Sequence, residues 1–138
     1  IPPRERHRHA VFEAVTGYMP SEFSKFHAYD LKEQKLMPLS DGPGEQRHPV
    51  ILSTPDAKYA MGVWSPAQPS KGFEHAGYGR FRYKAQQVVK WNCVFRVTQP
   101  RGLPTGEYSY LCYVLVGSLE DVTDTISRLY RHYSKLKP

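Results

Sequence analysis

Two acids and an imidazole lie within eight residues in the stretch SDGPGEQRHP: Asp41, Glu45 and His48. A carboxylate and an imidazole are the groups that general acid–base catalysis uses, and carboxylate oxygens are ligands for calcium. The sequence therefore marks Glu45 and His48 as candidate catalytic residues, and Asp41 and Glu45 as candidate calcium ligands. The alternative is a glycine-rich corner whose carboxylates accept hydrogen bonds from backbone N–H groups.

Other motifs of catalysis and metal binding are missing from the sequence. It contains no H-x-x-x-H or C-x-x-C pattern, no Walker loop, no dinucleotide fingerprint and no nucleophile elbow. The two cysteines, Cys93 and Cys112, lack the neighbours that identify a reactive thiolate. They predict either core thiols or a disulfide between adjacent strands.

A second candidate site is basic. The net charge is +6, and the excess lies in the segment 71–101, whose single acidic residue is Glu74. Alternation along two predicted strands places five basic side chains on one face, called here the predicted basic face: Arg80, Arg82, Lys84, Lys90 and Arg96. Guanidinium groups match carboxylate, sulfate or phosphate. The alternative is the solvated outer face of a sheet.

Aromatic residues add a third group of candidates. Trp64 ends a predicted strand just before a proline-rich loop that carries His75 and leads to Tyr78. An exposed aromatic ring at the mouth of a loop can stack on a sugar ring or a base. Trp91, between Val89 and Cys93 in the strand pattern, is predicted to lie in the core.

These residues depend on predicted β-strands for their positions. The runs PVILS and YAMGVW, with TPDAK between them, predict a hairpin. GYGRFRYK and VVKWNCVFRV predict a second hairpin, with a three-residue turn at 85–87 that sets Arg82 beside Lys90. EYSYLCYVLVG is predicted as the third strand of this meander, which brings Cys112 nearly opposite Cys93.

The end of the chain predicts a helix over residues 118–136. Ser118 is a good N-cap, Asp121 completes a capping box, and apolar residues recur at spacings of three and four. In the preceding strand, Leu111, Tyr113 and Leu115 make both faces apolar. This pattern indicates that a second sheet or a partner covers the strand.

The pieces predict one domain. Residues 1–9 are polar and basic, which is typical of a tail, and residues 10–138 are expected to form a single, mainly β, sandwich-like antiparallel domain with a C-terminal amphipathic helix. No apolar run approaches the roughly 20 residues of a membrane span. The chain begins with Ile1, so we expect a processed product or an excised piece of a larger protein.

Three segments resemble known proteins: RHPVILSTPDAKYAMGVWSP, VVKWNCVFRV and YSYLCYVLVGSLEDVTDTISRLY. They are similar to the closing part of large bacterial β-sandwich proteins of the galactose-mutarotase-like supersandwich group, which process sugars or assist such enzymes. The resemblance implies a carbohydrate ligand. His48, with Glu45 beside it, is the histidine that invites comparison with the catalytic histidine of the group.

Our leading interpretation is a carbohydrate-binding or accessory domain, with acidic saccharides among its expected ligands and a secreted or periplasmic location. The expected ligand-binding residues are Arg47, Trp64, His75, Tyr78, Arg80 and Arg82. No cofactor other than calcium is implied. Three alternatives stay open: a small epimerase- or lyase-like enzyme that uses His48 and Glu45, a structural module docked on a larger parent chain, and a binder of nucleic acid or another polyanion through the predicted basic face.

Overall fold

The computed structural model describes residues 7–137 as two antiparallel sheets and a helix. The sheets have the strand orders β1-β8-β7-β4 and β3-β2-β5-β6-β9. The elements are β1 (His9–Pro20), β2 (Lys25–Asp30), β3 (Lys35–Pro38), β4 (Gly44–Gln46), β5 (Val50–Ser53), β6 (Ala60–Trp64), β7 (Tyr78–Tyr83), β8 (Val88–Thr98), β9 (Tyr113–Gly117) and α1 (Leu119–Leu136). The predicted fold class, mainly β and sandwich-like with a C-terminal helix, is confirmed. The first strand begins at His9, the last residue of the predicted tail, and residues 1–6 lie outside the described residues.

The core lies between the two sheets. Val89, Trp91 and Cys93 project from β8 towards Val50 and other buried side chains of the five-stranded sheet. Trp91 is buried, as the strand pattern predicts, because it alternates with the outward Lys90 and Asn92. No helix among the described residues is both long enough and apolar enough to cross a membrane.

The predicted hairpin of β5 and β6 is confirmed, with Val50 opposite Val63 and Ser53 opposite Ala60. The hydroxyl of Thr54 stabilises the connecting turn, because it donates to Asp56 at 2.7 Å and accepts from the backbone N–H of Tyr59.

The hairpin of β7 and β8 is also present, but its predicted register is wrong by one residue. The turn contains four residues, 84–87, and is closed by a hydrogen bond from the Gln87 N–H to the Lys84 carbonyl. Tyr83 therefore pairs with Val88, and Arg82 pairs with Val89 instead of Lys90. A slip of one residue moves every side chain of a strand to the opposite face. Arg80 and Arg82 therefore share the inner face of the sheet with Trp91.

The third strand of the predicted meander does not join β8. Instead β9 pairs with β6 in the other sheet, with Tyr113 opposite Trp64, and residues 107–112 form no strand. Cys93 and Cys112 are nonetheless close, with 3.9 Å between their sulfur atoms. Their predicted proximity is confirmed, although it arises between the two sheets and not within a single sheet.

The helix α1 packs on the outer face of the five-stranded sheet. Ser118 is its N-cap and forms the predicted capping box with Asp121. A Cβ atom at Gly62 would lie 3.0 Å from Cγ1 of Ile51 and 3.1 Å from Cγ1 of Val122, which shows how closely the helix approaches the sheet. Leu115 is buried and Tyr113 half-buried on this face.

Candidate functional site

The structure separates the residues of the candidate acid–base cluster. On β4, the carboxylate of Glu45 accepts two hydrogen bonds of 2.8 Å from the guanidinium of Arg96 and one of 3.0 Å from the backbone N–H of Gly77. Burial alone raises the pKa of Glu45, but the hydrogen bonds from Arg96 and Gly77 outweigh it, so its pKa is lowered. Such a carboxylate is ionised and fully engaged near neutral pH. The prediction of Glu45 as a catalytic group or metal ligand is therefore not supported by its surroundings.

Asp41 and His48 have other neighbours. Asp41 forms an ion pair with Arg82, with 3.0 Å between Oδ1 and Nε. His48 lines a surface depression together with Asp30, and Glu45 is not among the residues that line it. Among residues 7–137, no group of three or more histidine, cysteine, aspartate or glutamate side chains is placed to hold a metal ion. The carboxylates of the corner at 40–49 therefore bind other groups of the protein, as in the alternative interpretation of a structural corner.

The predicted basic face is divided by the register of β7. Arg80 donates to Oγ of Ser40 at 2.8 Å and to Oε1 of Gln46 at 3.2 Å. Arg82 donates to the carbonyl of Ser24 at 2.7 Å and lies over the ring of Phe26. Arg80 and Arg82, both predicted to bind ligand, therefore hold the loops at Ser40 and Ser24 against the edge of the sandwich.

Of the remaining basic residues of that face, Lys90 and Arg96 project from the outer face of the sheet, and Lys84 lies in the turn. Lys90 lies 2.7 Å from a carboxylate oxygen of Glu13, which is its ion-pair partner. Because Arg96 is bound to Glu45, this side of the sheet does not present the continuous row of free cations that the sequence predicts.

Trp64 and Tyr78 are buried, contrary to the prediction of exposed rings. Trp64 is 4% exposed, and its ring centroid lies 6.0 Å from that of Tyr113 and 5.6 Å from that of Tyr133. Tyr78 is 1% exposed, and its hydroxyl accepts a hydrogen bond of 2.9 Å from the backbone N–H of Ser65. Burial is the largest cause of the raised pKa of Tyr78. Trp64 is thus covered by β9 and α1, whereas Tyr78 lies beside Cys93 and is held by Ser65.

His75 lies in the loop between β6 and β7, as predicted, and it is exposed. Its carbonyl oxygen accepts a hydrogen bond of 3.0 Å from Arg96, so the same arginine that holds Glu45 also fixes this loop. The loop is further attached by Ser70, whose hydroxyl donates to the carbonyl of Val94 at 2.8 Å.

The structure brings a different set of residues together around Arg47 and Gln68. Three cavities, of about 160, 330 and 430 Å³, are each lined by these two side chains. We call the combined depression the Arg47 cleft. The smallest cavity reaches the interior, and aromatic side chains form much of its wall: Trp64, Tyr78, Tyr130 and Tyr133.

Arg47 is an available cation in this cleft. Its side chain is exposed, and within residues 7–137 its guanidinium forms no hydrogen bond or ion pair. Its carbonyl oxygen accepts a hydrogen bond of 3.2 Å from Nε2 of Gln68, which ties the two segments together. Lys137 lines the first cavity and Lys71 the second, and among residues 7–137 neither is lined by an acidic residue. The third and largest cavity is lined by Asp30 and Glu33, so an anionic group is expected in the first two. These two cavities therefore present a positive and partly aromatic surface.

Sequence reasoning identified Arg47 but missed most of its neighbours. Tyr130, Tyr133 and Lys137 follow one another at helical spacing near the end of α1. The sequence predicts that the apolar side of α1, which includes Tyr133, covers the sheet, and it assigns no role to Tyr130 or Lys137. Two tyrosines followed by a lysine are more polar than a core stripe requires, and this is the signal that could have placed them at a surface cleft.

A serine and a histidine also meet in the five-stranded sheet. Oγ of Ser53 lies 2.9 Å from Nε2 of His27, the contact that a nucleophile and its base would make. Ser53 is 1% exposed, so a substrate has no path to its hydroxyl. The pair is a partly buried polar contact between β2 and β5.

The chain matches no protein-family model, and no significant match was found among curated proteins or solved structures. What the domain does must therefore be argued from its own residues.

Proposed function

We propose that this domain binds saccharides that carry carboxylate or sulfate groups, and that the Arg47 cleft is the binding site. The observation that carries the proposal is the guanidinium of Arg47, which is exposed and unpaired within residues 7–137 where three cavities meet. By contrast, Arg80, Arg82 and Arg96 are occupied by internal partners. A guanidinium can form two parallel hydrogen bonds with a carboxylate or sulfate.

The walls of the cleft suit the remainder of a sugar. Tyr130 and Tyr133 are half-buried, so each presents part of an aromatic ring to which the C–H groups of a pyranose can pack. Gln68 and Ser134 also line the cleft. The Ser134 proton goes to the Tyr130 carbonyl and the Gln68 amide N–H groups go to backbone carbonyls, so their oxygen atoms can accept hydrogen bonds from sugar hydroxyls. Trp64 contributes only a narrow edge, because it is almost entirely buried.

The size of the cleft favours one or two sugar rings at the protein surface. Ligand pockets are usually about 300–1,000 Å³, and two of the three cavities, 330 and 430 Å³, fall in that range. The resemblance to sugar-processing sandwich proteins points to the same class of ligand. A role as an accessory module of a larger, exported protein agrees with the size of the cleft and with this resemblance.

A glycan array tests the proposal. The domain is compared with Arg47→Ala and with the matched control Arg101→Ala, which removes the same charge from an exposed residue outside the cleft. We expect uronate-containing or sulfated glycans to bind, and Arg47→Ala to weaken that binding at least tenfold while Arg101→Ala leaves it unchanged. Equal losses in both variants would indicate unspecific attraction by net charge, and full binding by Arg47→Ala would exclude this cleft.

One observation favours a second candidate, the docking module. The strand β9 lies at the edge of its sheet, and it carries Val114 and Val116, of which Val116 is 72% exposed. Leu111 precedes them and is also exposed, whereas Tyr113 and Leu115 of the predicted docking surface are covered by α1. An open apolar edge can accept another strand. Light scattering across a concentration series would show such pairing as a dimer, which Val116→Lys should abolish.

A further inference from the structure

The two cysteines of the chain meet where the segment before β9 passes the centre of β8. Cys93 lies in the middle of β8, between Val15 of β1 and Tyr78 of β7, and is completely buried. Cys112 lies in the segment that leads into β9. Their sulfur atoms are 3.9 Å apart. A disulfide bond of about 2.05 Å therefore requires an approach of roughly 2 Å.

The segment that carries Cys112 can supply that movement. Residues 107–112 belong to no strand, and Cys112 is only half-buried. Two contacts nevertheless hold it in place: the ring of Tyr110 stacks on Phe95 of β8 with 4.2 Å between centroids, and Oγ of Ser65, which follows β6, donates to the carbonyl of Leu111 at 2.8 Å. Cys93 is fixed on both sides by paired strands, so Cys112 is the thiol that moves.

The two thiols also differ in chemistry. The contact with Cys93 lowers the pKa of Cys112, whereas the same contact, together with burial, raises the pKa of Cys93. The thiolate is the form that attacks a disulfide. Cys112 is more exposed and more readily ionised, so it meets an oxidant first.

We propose that Cys93 and Cys112 form a disulfide bond by exchange with a small disulfide oxidant such as oxidised glutathione. The Cys112 thiolate attacks one sulfur of the oxidant, which forms a mixed disulfide and releases one glutathione thiolate. Cys93 then loses its proton and attacks the sulfur of Cys112, which releases the second glutathione thiolate. The protein loses two electrons and two protons, and the oxidant is reduced to two thiols.

The new bond would join the two sheets at a point where they already share hydrogen bonds. Cys93 pairs with Tyr78, the Tyr78 hydroxyl accepts from Ser65, and Ser65 donates to the carbonyl next to Cys112. A disulfide between residues that are already joined by these hydrogen bonds lowers the conformational entropy of the unfolded chain. It requires no rearrangement of distant parts of the fold. The inference stands apart from the proposed saccharide binding.

The test uses the whole chain, purified with reductant and then incubated with oxidised glutathione. Samples are denatured, labelled with a maleimide and weighed by mass spectrometry. We expect a monomer that carries neither maleimide nor glutathione, with a melting temperature raised on the order of 10 °C and restored by dithiothreitol. Two labelled thiols, or a glutathione adduct that persists in the wild-type protein, would overturn the proposal.

Two variants test the order of attack. In Cys93→Ser the mixed disulfide at Cys112 cannot be resolved, so a stable glutathione adduct should accumulate. In Cys112→Ser the buried Cys93 should remain unmodified while the protein is folded. An adduct on Cys93 in that variant would reverse the assigned order. If Cys93→Ser does not fold, a quenched time course on the wild-type protein must still show the Cys112 adduct rising and then falling.

Discussion

Arg96 binds Glu45 through two hydrogen bonds of 2.8 Å, one from each terminal nitrogen, and the same guanidinium donates to the hydroxyl of Ser70. Glu45 lies on the edge strand β4, whereas Arg96 lies on β8, two strands away. The Glu45 side chain is 11% exposed. The pair therefore connects the edge strand and the 65–77 loop to the centre of the sheet, and it determines the shape of the corner that the sequence presents as a candidate active site.

Glu45→Gln should destabilise the fold, because it removes a charged partner from a largely buried arginine. A hydrogen bond to a charged group contributes about 1.5–3 kcal/mol, and we expect a loss of about 2 kcal/mol in the free energy of unfolding by urea denaturation. The matched control is Asp41→Asn, whose ion pair with Arg82 is more exposed and should contribute less than about 1 kcal/mol. Equal effects of the two substitutions would contradict the structural role of Glu45.

The same pair predicts how stability depends on pH. The pKa of Glu45 in the folded protein lies below the ordinary value of a glutamate, because the hydrogen bonds from Arg96 and Gly77 outweigh the effect of burial. A lowered folded pKa contributes stability above the unfolded pKa and loses it as the pH falls through the folded value. Urea midpoints measured between pH 7 and about pH 3 should therefore fall less in Glu45→Gln than in the wild-type protein. Parallel profiles would show that Glu45 does not contribute to acid unfolding.

Trp64→Ala should damage the fold directly. The ring packs against Tyr113 and Tyr133, and replacing such a buried aromatic residue by alanine costs about 3–5 kcal/mol. Thermal unfolding should show a large drop in melting temperature or loss of the folded state. A stable Trp64→Ala variant that fails only in ligand binding would restore the original prediction of a sugar-stacking ring.

Tyr130→Ala separates binding from folding. Tyr130 lines two of the cavities of the Arg47 cleft and is only half-buried. If it packs against a sugar ring, its loss should weaken affinity about fivefold by calorimetry, corresponding to about 1 kcal/mol for an aromatic contact. Tyr83→Ala provides the control, because Tyr83 is exposed on β7 and does not line the cleft. Its affinity should remain unchanged.

Gly62→Ala tests the contact between α1 and the sheet. The added methyl group would lie within 3.2 Å of Ile51, Val122 and the Val50 carbonyl, and overpacking of this kind costs about 1–3 kcal/mol. The double substitution with Val122→Ala should be less damaging than the sum of the single changes, because each relieves the other. Strict additivity in chemical denaturation would show that the helix does not press on Gly62.

Local patterns in the sequence predicted much of the fold. The capping box at Ser118, the short turn after β5 and the alternation around Trp91 depend on neighbouring residues, and all three are present in the structure. The register of β7 could not be obtained in this way. The register depends on whether Lys84 ends the strand or begins the turn. A lysine is acceptable at either position, so the sequence does not distinguish the two registers.

The candidate site was harder to predict because its members come from distant elements. Arg47 follows β4, Gln68 lies in the loop after β6, and Tyr130 is on α1. Because β9 pairs with β6 and not with β8, Trp64 lies in the interior and α1 lies beside the cleft. Strand exchange between two sheets leaves no mark in the periodicity of a single strand.

The four residues between Tyr83 and Val88 determine which chemistry this sheet shows to solvent. A related chain with one residue fewer in that turn should rotate β7 by one position, so that two arginines point outwards and Phe81 and Tyr83 point into the sandwich. Insertions and deletions in exposed turns are among the changes that proteins tolerate best. Here, however, the same rotation would turn the buried Tyr78 out of the core, so the length of this turn is constrained by the core as well as by the charge of the outer face.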